Sequence, residues 1–122
     1  MAPNVAAVAD ADASVIEAEL VLGDGFDPAA VGAAVTVELC GHWEHEGPCR
    51  WPHNSAIDTE PDTARFRTLF VADEREAALV RDPIETALRG DLGWRLVSVH
   101  SRSVAKAERA LAEHLLAGPR LR

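Results

Sequence analysis

The stretch RFRTLFVADEREAALVRDPIETAL, residues 65–88, decides the fold because its hydrophobic period changes partway along. Residues 65–72 place arginines on one face and phenylalanines on the other, which is the two-residue period of a half-buried β-strand. Residues 74–88 follow a helical period instead, with an apolar stripe of Ala77, Val80, Ile84, Ala87 and Leu88. The stripe keeps its phase across Pro83, which favours one bent helix over two separate helices.

The remaining elements are assigned from the same two periods. Apolar and polar side chains alternate over residues 15–22 and again over 35–42, so both segments are expected to be strands. A short helical turn is expected between them at 27–31, since Asp-Pro is typical of a helix start. Residues 94–101 form a fourth strand, and residues 103–116 form a last amphipathic helix.

The order β-β-β-α-β-α predicts an α+β fold, with a mixed four-stranded sheet and two helices packed on one face. The strand–helix–strand unit at the end predicts a parallel crossover. If the helical turn at 27–31 is longer than this, the order approaches a ferredoxin-like arrangement. We expect one domain over residues 14–118 with a long loop at 43–63, a disordered leader over 1–13 and a tail over 119–122.

The chain has 122 residues and a formal net charge of −8. This acidic total argues against nucleic acid and anionic membranes as partners, because phosphate binding needs clustered lysines and arginines. Acidic Glu17 and Glu19 on the first strand are expected to lie beside Arg65 and Arg67 on the third, as cross-strand pairs. The sequence contains no secretory signal and no apolar stretch long enough to cross a bilayer, which predicts a cytoplasmic protein.

The most unusual stretch is CGHWEHEGPCRWPH, residues 40–53, which we call the Cys/His segment. It holds five thiol or imidazole side chains, those of Cys40, His42, His45, Cys49 and His53. Zinc binds four such groups in a tetrahedron, so the segment predicts a zinc site. Both cysteines and His53 are the expected ligands, with His42 or His45 as the fourth. Acidic side chains at Glu44 and Glu46 are suited to orient the imidazoles.

The number of protein ligands decides what such a site does. Four ligands close the coordination sphere and predict a structural zinc that supports partner recognition, whereas three leave a water position for hydrolysis. The spacing matches no standard zinc module, so metal-free thiols, or a disulfide between Cys40 and Cys49, stay open as alternatives. A small enzyme that uses the Cys49 thiolate is a lesser alternative.

A metal-free interaction or regulatory module is the alternative from a different functional class. Trp43 and Trp51 flank the Cys/His segment and are candidates for a partner surface, although both rings are also suited to cover the underside of the loop. Apolar Leu69 and Val71 are expected on the sheet face that carries Arg65, which suggests a homodimer through that face.

A second candidate site is His-Ser-Arg-Ser at residues 100–103, where the fourth strand runs into the last helix. A helix start with serine and arginine beside it is suited to bind an anion. The simpler interpretation is that Ser103 caps the helix and His100 is a surface histidine. The predicted topology puts this segment and the Cys/His segment at opposite ends of the sheet.

Overall fold

A computed structural model describes residues 12–40, 51–90 and 93–117. Its elements, in chain order, are β1 (Asp12–Leu22), α1 (Ala29–Cys40), β2 (His53–Thr59), β3 (Ala64–Ala72), α2 (Ala77–Leu88), β4 (Trp94–Arg102) and α3 (Arg109–Ala117). A 3-10 turn, Lys106–Glu108, leads directly into α3. None of these helices is both long and apolar enough to span a bilayer.

The four strands form one sheet in the order β2-β3-β1-β4, and each neighbouring pair is antiparallel. The α+β class and the four-stranded sheet are confirmed. The strands β3 and β4, which α2 connects, run in the same direction but are separated by β1. The order β-α-β-β-α-β is the ferredoxin-like arrangement, here followed by α3.

Helices cover both faces of the sheet. The main core lies between the sheet and the pair α1 and α2, and its largest members include Ile16, Leu20, Val31, Val35, Phe66, Phe70, Ile84 and Leu88. The opposite face, which we call the outer face, carries a smaller core in which α3 packs over Val15 and Leu69 through Ala112. The two helices expected to share one face, α2 and α3, therefore lie on opposite faces, and the helix that shares a face with α2 is α1.

The predicted strand over residues 35–42 is wrong, because α1 extends to Cys40. Val31, Val35 and Leu39 recur four residues apart and are all buried, whereas Val37 is exposed. Small residues occupy most other positions of α1 and give little periodic signal. The apolar residues Val35, Val37 and Leu39 therefore produced the two-residue alternation that is typical of a strand. Alanine favours the helix, and the Asp27 side chain accepts a hydrogen bond from the Ala29 N–H at its start.

The predicted loop over residues 43–63 is too long, because β2 lies within it. His53, Ser55 and Ile57 point toward the helix layer, opposite Phe70, Thr68 and Phe66 of β3. The sequence HNSAIDT is largely polar because β2 is an edge strand with little of its surface in the core. A strand that buries so little apolar surface leaves a weak signal in the sequence.

The turn before β4 is held by an aromatic contact. Gly93 adopts a φ of +129°, and a Cβ there would lie 2.3 Å from the ring of Phe26. The Phe26 and Trp94 rings have centroids 5.6 Å apart. Trp94 is buried, and its Nε1–H donates a hydrogen bond of 2.8 Å to the carbonyl of Leu88. The absence of a side chain at Gly93 therefore lets Phe26 close the end of the main core.

We expect Gly93→Ala to lower the free energy of unfolding by about 3 kcal/mol, because it combines overpacking with an unfavourable φ. Gly25→Ala is the matched control, since Gly25 also has a positive φ, +70°, but no neighbouring atom within 4 Å of an added Cβ. Gly25→Ala is expected to lower the free energy of unfolding by about 1 kcal/mol. Urea unfolding of both variants measures the difference, and equal losses would show that the Phe26 contact does not constrain the turn.

Candidate functional site

The imidazole of His53, at the start of β2, is held at both nitrogens. Its Nδ1 lies 3.0 Å from the carbonyl oxygen of Trp51, and its Nε2 lies 3.0 Å from the hydroxyl oxygen of Thr36. A carbonyl oxygen can only accept, so in the neutral ring Nδ1 carries the proton and Nε2 accepts from Thr36. His53 is thus fixed with the lone pair of Nε2 directed at α1.

The contact between α1 and β2 runs along one stripe of the helix. A Cβ at Gly32 would lie 3.5 Å from the Cβ of Ser55, and Thr36 meets His53 one helical turn later. Four residues of helix rise about 6 Å and two residues of strand rise about 6.6 Å, so the two elements stay in step. The next position of the stripe is Cys40, the last residue of α1.

The structure therefore brings the two ends of the Cys/His segment to the same place. Cys40 is one helical turn beyond Thr36, whose hydroxyl touches the ring of His53. Neighbours four apart on a helix have Cβ atoms about 6 Å from each other. The sequence did not identify Thr36 as part of the site, since a strand assignment hides the four-residue spacing of Gly32, Thr36 and Cys40.

The other predicted ligands, His42, His45 and Cys49, lie outside the described residues, as do Trp43 and the acidic Glu44 and Glu46. Cys40 is described as a residue of α1 without its side chain. Among the described residues, no three His, Cys, Asp or Glu side chains are grouped so that they would hold a metal ion. A four-ligand site at His53 would therefore need side chains from outside the described residues, such as those of the Cys/His segment.

Trp51 and a shallow groove border this site. Trp51 is partly buried and packs against the main core. Beside it, a groove of about 400 Å³ runs between α1 and β2, lined by Gly32, Thr36, His53 and Ile57 among others. His53 thus lies between the packed interior and a surface depression.

The second candidate segment, residues 100–103, belongs to a network of charges on the outer face. His100 Nε2 lies 3.2 Å from a carboxylate oxygen of Glu17 on β1. Arg102 bridges two acids, with one nitrogen 3.4 Å from Glu17 and two nitrogens 2.8 and 3.0 Å from Glu108. Glu108 also lies 3.4 Å from Nε of Arg67, whose buried Nη1 has no hydrogen-bond partner in the described part of the chain.

Glu108 is the centre of this network and also the cap of the C-terminal helical region. The hydrogen bonds from Arg102 lower the pKa of Glu108 to about 2, against an opposing effect of burial, and a further hydrogen bond from the Ala105 N–H adds to the lowering. The same contact raises the pKa of Arg102. The expectation that Ser103 caps the helix is wrong, because Ala105 occupies the N-cap position and Glu108 supplies the capping carboxylate.

The two candidate segments lie at the same end of the sheet. His53 is in register with Phe70, and Phe70 with Ser14 of β1, while Arg102 pairs with the adjacent Val15. The predicted placement at opposite ends is therefore wrong. Because residues 35–40 belong to α1 and not to a strand, the chain returns along the helix, and β2 begins at the end of the sheet where β1 begins. Three strand spacings of about 4.8 Å still separate β2 from β4, so one composite site is excluded by distance.

We expect Glu108→Gln to lower the free energy of unfolding at pH 7 by about 1–2 kcal/mol, since it removes charge-assisted hydrogen bonds. A carboxylate with a depressed pKa contributes stability above its ordinary value, 4.5, and loses it as the pH falls toward about 2. The difference in the free energy of unfolding between wild type and Glu108→Gln must therefore become smaller as the pH falls from 4.5 toward about 2.

Urea unfolding at pH 7, 4 and 2.5 measures this, with Glu85→Gln as control. Glu85 forms one exposed ion pair with Arg89 at 3.2 Å, which is expected to contribute at most about 0.5 kcal/mol at pH 7. A difference for Glu108→Gln that stays constant with pH would contradict the depressed pKa.

The chain matches no protein-family model and no curated protein sequence. Its fold does not identify an activity, because one fold supports many unrelated functions. The chemical group that the structure describes beside the Cys/His segment is the His53 imidazole, in contact with the Thr36 hydroxyl and the Trp51 carbonyl.

Proposed function

We propose that this chain is a small cytoplasmic zinc-binding protein whose Cys/His segment holds the metal. The ligands are Cys40, Cys49 and His53, with His42 or His45 as the fourth. The site is structural: zinc stabilises the connection between α1 and β2 so that it can recognise a partner. Thiolate and imidazole ligands in a closed set of four suit zinc in this role.

One contact carries this proposal, the 3.0 Å approach of the Thr36 hydroxyl to Nε2 of His53. It joins Thr36, one helical turn before Cys40, to His53, so the end of α1 and the start of β2 lie at the same end of the α1–β2 contact. Two of the proposed ligand positions are therefore close together in the fold, which reduces the loop-closure entropy that a metal bound by both would have to overcome.

The orientation of His53 supports its role as a ligand. Metal-binding histidines commonly donate one ring N–H to a carbonyl, which fixes the tautomer and leaves the other nitrogen to bind the metal. Here Nδ1 meets the Trp51 carbonyl at 3.0 Å. Zinc bound at Nε2 would replace the hydrogen bond from Thr36 and keep the one to Trp51.

The metal-free interaction module has less support than the sequence alone suggested. Leu69 and Val71, which motivated a partner or second copy on the outer face, are both fully buried. The chain's own helix α3 covers Leu69. The Trp43 and Trp51 surface remains the one basis for that alternative, and Trp51 packs against the main core.

We expect protein purified without a histidine tag, under reducing conditions, to contain about one equivalent of zinc. Cys49→Ser and Cys40→Ser should each abolish it, because thiolates supply most of the affinity for zinc. Elemental analysis gives the stoichiometry. Replacement by cobalt(II) should add the near-ultraviolet thiolate-to-cobalt absorption that imidazole ligands alone cannot give.

The control is His114→Gln, which changes a histidine of α3 outside the segment and should leave the metal content unchanged. A dissociation constant for zinc of about 10⁻⁷ M or lower is expected, as for other structural zinc sites. Metal-free protein that shows no thiolate-to-cobalt absorption and keeps its fold in excess chelator would overturn the proposal.

The contact between Thr36 and His53 gives a sharper test of which nitrogen binds. We expect Thr36→Val to tighten zinc binding by about two- to tenfold, because it removes the hydrogen bond that competes for Nε2 and keeps the side-chain shape. Thr36→Ser retains the hydroxyl and should bind zinc like the wild type. Competition with a chromophoric chelator measures both, and equal affinities in the two variants would exclude Nε2 of His53 as a ligand.

A further inference from the structure

A cleft of about 590 Å³ opens where the start of β1, the end of β4 and α3 meet. Its volume is within the range of about 300–1,000 Å³ that is typical of small-molecule sites. Three of the residues that line it, Ser101, Arg102 and Ser103, belong to the segment already suspected as an anion site from its sequence. Ala105, and not Ser103, is the N-cap residue, so capping does not account for the serine at position 103.

Three arginines from three different elements converge on this cleft: Arg81 of α2, Arg102 of β4 and Arg109 of α3. In a chain with a net charge of −8, such a grouping of cations is unexpected from composition alone. Like charges gathered at one site destabilise the folded chain unless counter-charges accompany them. Two carboxylates, those of Asp12 and Glu113, also line the cleft, so its lining as a whole keeps a small positive charge.

Among the described residues, only one of the three arginines forms an ion pair with a carboxylate. Arg102 is held by Glu17 and Glu108, as described above. For Arg81 and Arg109, no carboxylate of residues 12–40, 51–90 or 93–117 lies within the 4.0 Å that defines an ion pair. The Arg102 side chain is thus held in place by its ion pairs. Arg81 and Arg109 are the cations of the lining that are available to a ligand.

The rest of the lining indicates what kind of anion would fit. Hydroxyl groups come from Ser14, Ser101 and Ser103, and hydroxyls and guanidinium groups together are typical donors to phosphate and carboxylate oxygens. Apolar side chains, including Val104, Ala112 and Leu116, line another part of the cleft. Carboxylates of Asp12 and Glu113 also border it and are suited to accept hydrogen bonds from ligand hydroxyl or amino groups.

We propose that this cleft binds a small organic anion, whose phosphate or carboxylate group is held by Arg81 and Arg109 and by the hydroxyls of Ser101 and Ser103. The anion also carries hydrogen-bond donors, which meet Asp12 and Glu113. The site is independent of the proposed zinc site, because β3 and β1 separate β4 from β2. Either proposal can fail without the other.

The test is titration of tag-free, full-length protein with two probes, inorganic phosphate and citrate, at constant ionic strength set by chloride. Isothermal calorimetry and the melting temperature are the readouts. We expect saturable binding of at least one probe, weakened about tenfold or more in Arg81→Ala and in Arg109→Ala, because each removes a charge-assisted hydrogen bond. The tighter probe identifies whether a phosphate or a carboxylate group is preferred.

Arg75→Ala and Arg95→Ala are matched controls, since each removes an exposed arginine that does not line the cleft. Both should bind the probes within about twofold of wild type, which separates a built site from general attraction to charge. Far-ultraviolet circular dichroism confirms that each variant folds. The proposal is overturned if neither probe binds saturably, or if the control variants lose as much affinity as the cleft variants do.

Discussion

The packing of α1 against the edge strand β2 is the constraint on which the candidate metal site depends. This packing is close because Gly32 has no side chain and Thr36 has a small one that hydrogen-bonds His53. An alanine Cβ at Gly32 would lie in ordinary contact with Ser55, at 3.5 Å, so only a side chain larger than alanine would push the two elements apart. The strand β2 is itself held on the sheet by its antiparallel ladder with β3.

The parts of the fold that the sequence predicted well are those with large side chains in a clear period. The strands expected over residues 65–72 and 94–101 and the helix over 74–88 are present within a few residues of their predicted bounds. Their periods are unambiguous because phenylalanine, tryptophan, leucine and isoleucine mark the buried positions. The helix is also continuous through Pro83, as the unbroken phase of its apolar stripe indicated.

The errors have one physical origin, which is the small size of the residues that surround the candidate site. A stretch of alanine, glycine and valine satisfies both periods, so α1 resembled a strand in its second half. That single misassignment hid the relation of Gly32, Thr36 and Cys40 and reversed the placement of the Cys/His segment on the sheet. The side chains that make close helix–strand packing feasible are the ones that carry least periodic information.

The charged side chains of the outer face do not pair simply with their neighbours in register across the strands. Glu17 and Arg67 are neighbours in register, as expected. However, the Arg67 guanidinium approaches Glu108, and Glu17 approaches His100 and Arg102. The carboxylate of Glu108, held between two arginines, thus ties the C-terminal region to the outer face.

The ion pairs of the outer face also bear on the cleft between β1, β4 and α3. Glu17 and Glu108 on the outer face form ion pairs with Arg67, His100 and Arg102, while Arg81 and Arg109 line the cleft with no carboxylate at ion-pair distance among the described residues. Arg75 and Arg95 likewise form no ion pair among the described residues, but they do not line the cleft. The grouping of Arg81 and Arg109 with serine hydroxyls in one concave place, and not the lack of an acidic partner alone, is therefore what favours an anionic ligand there.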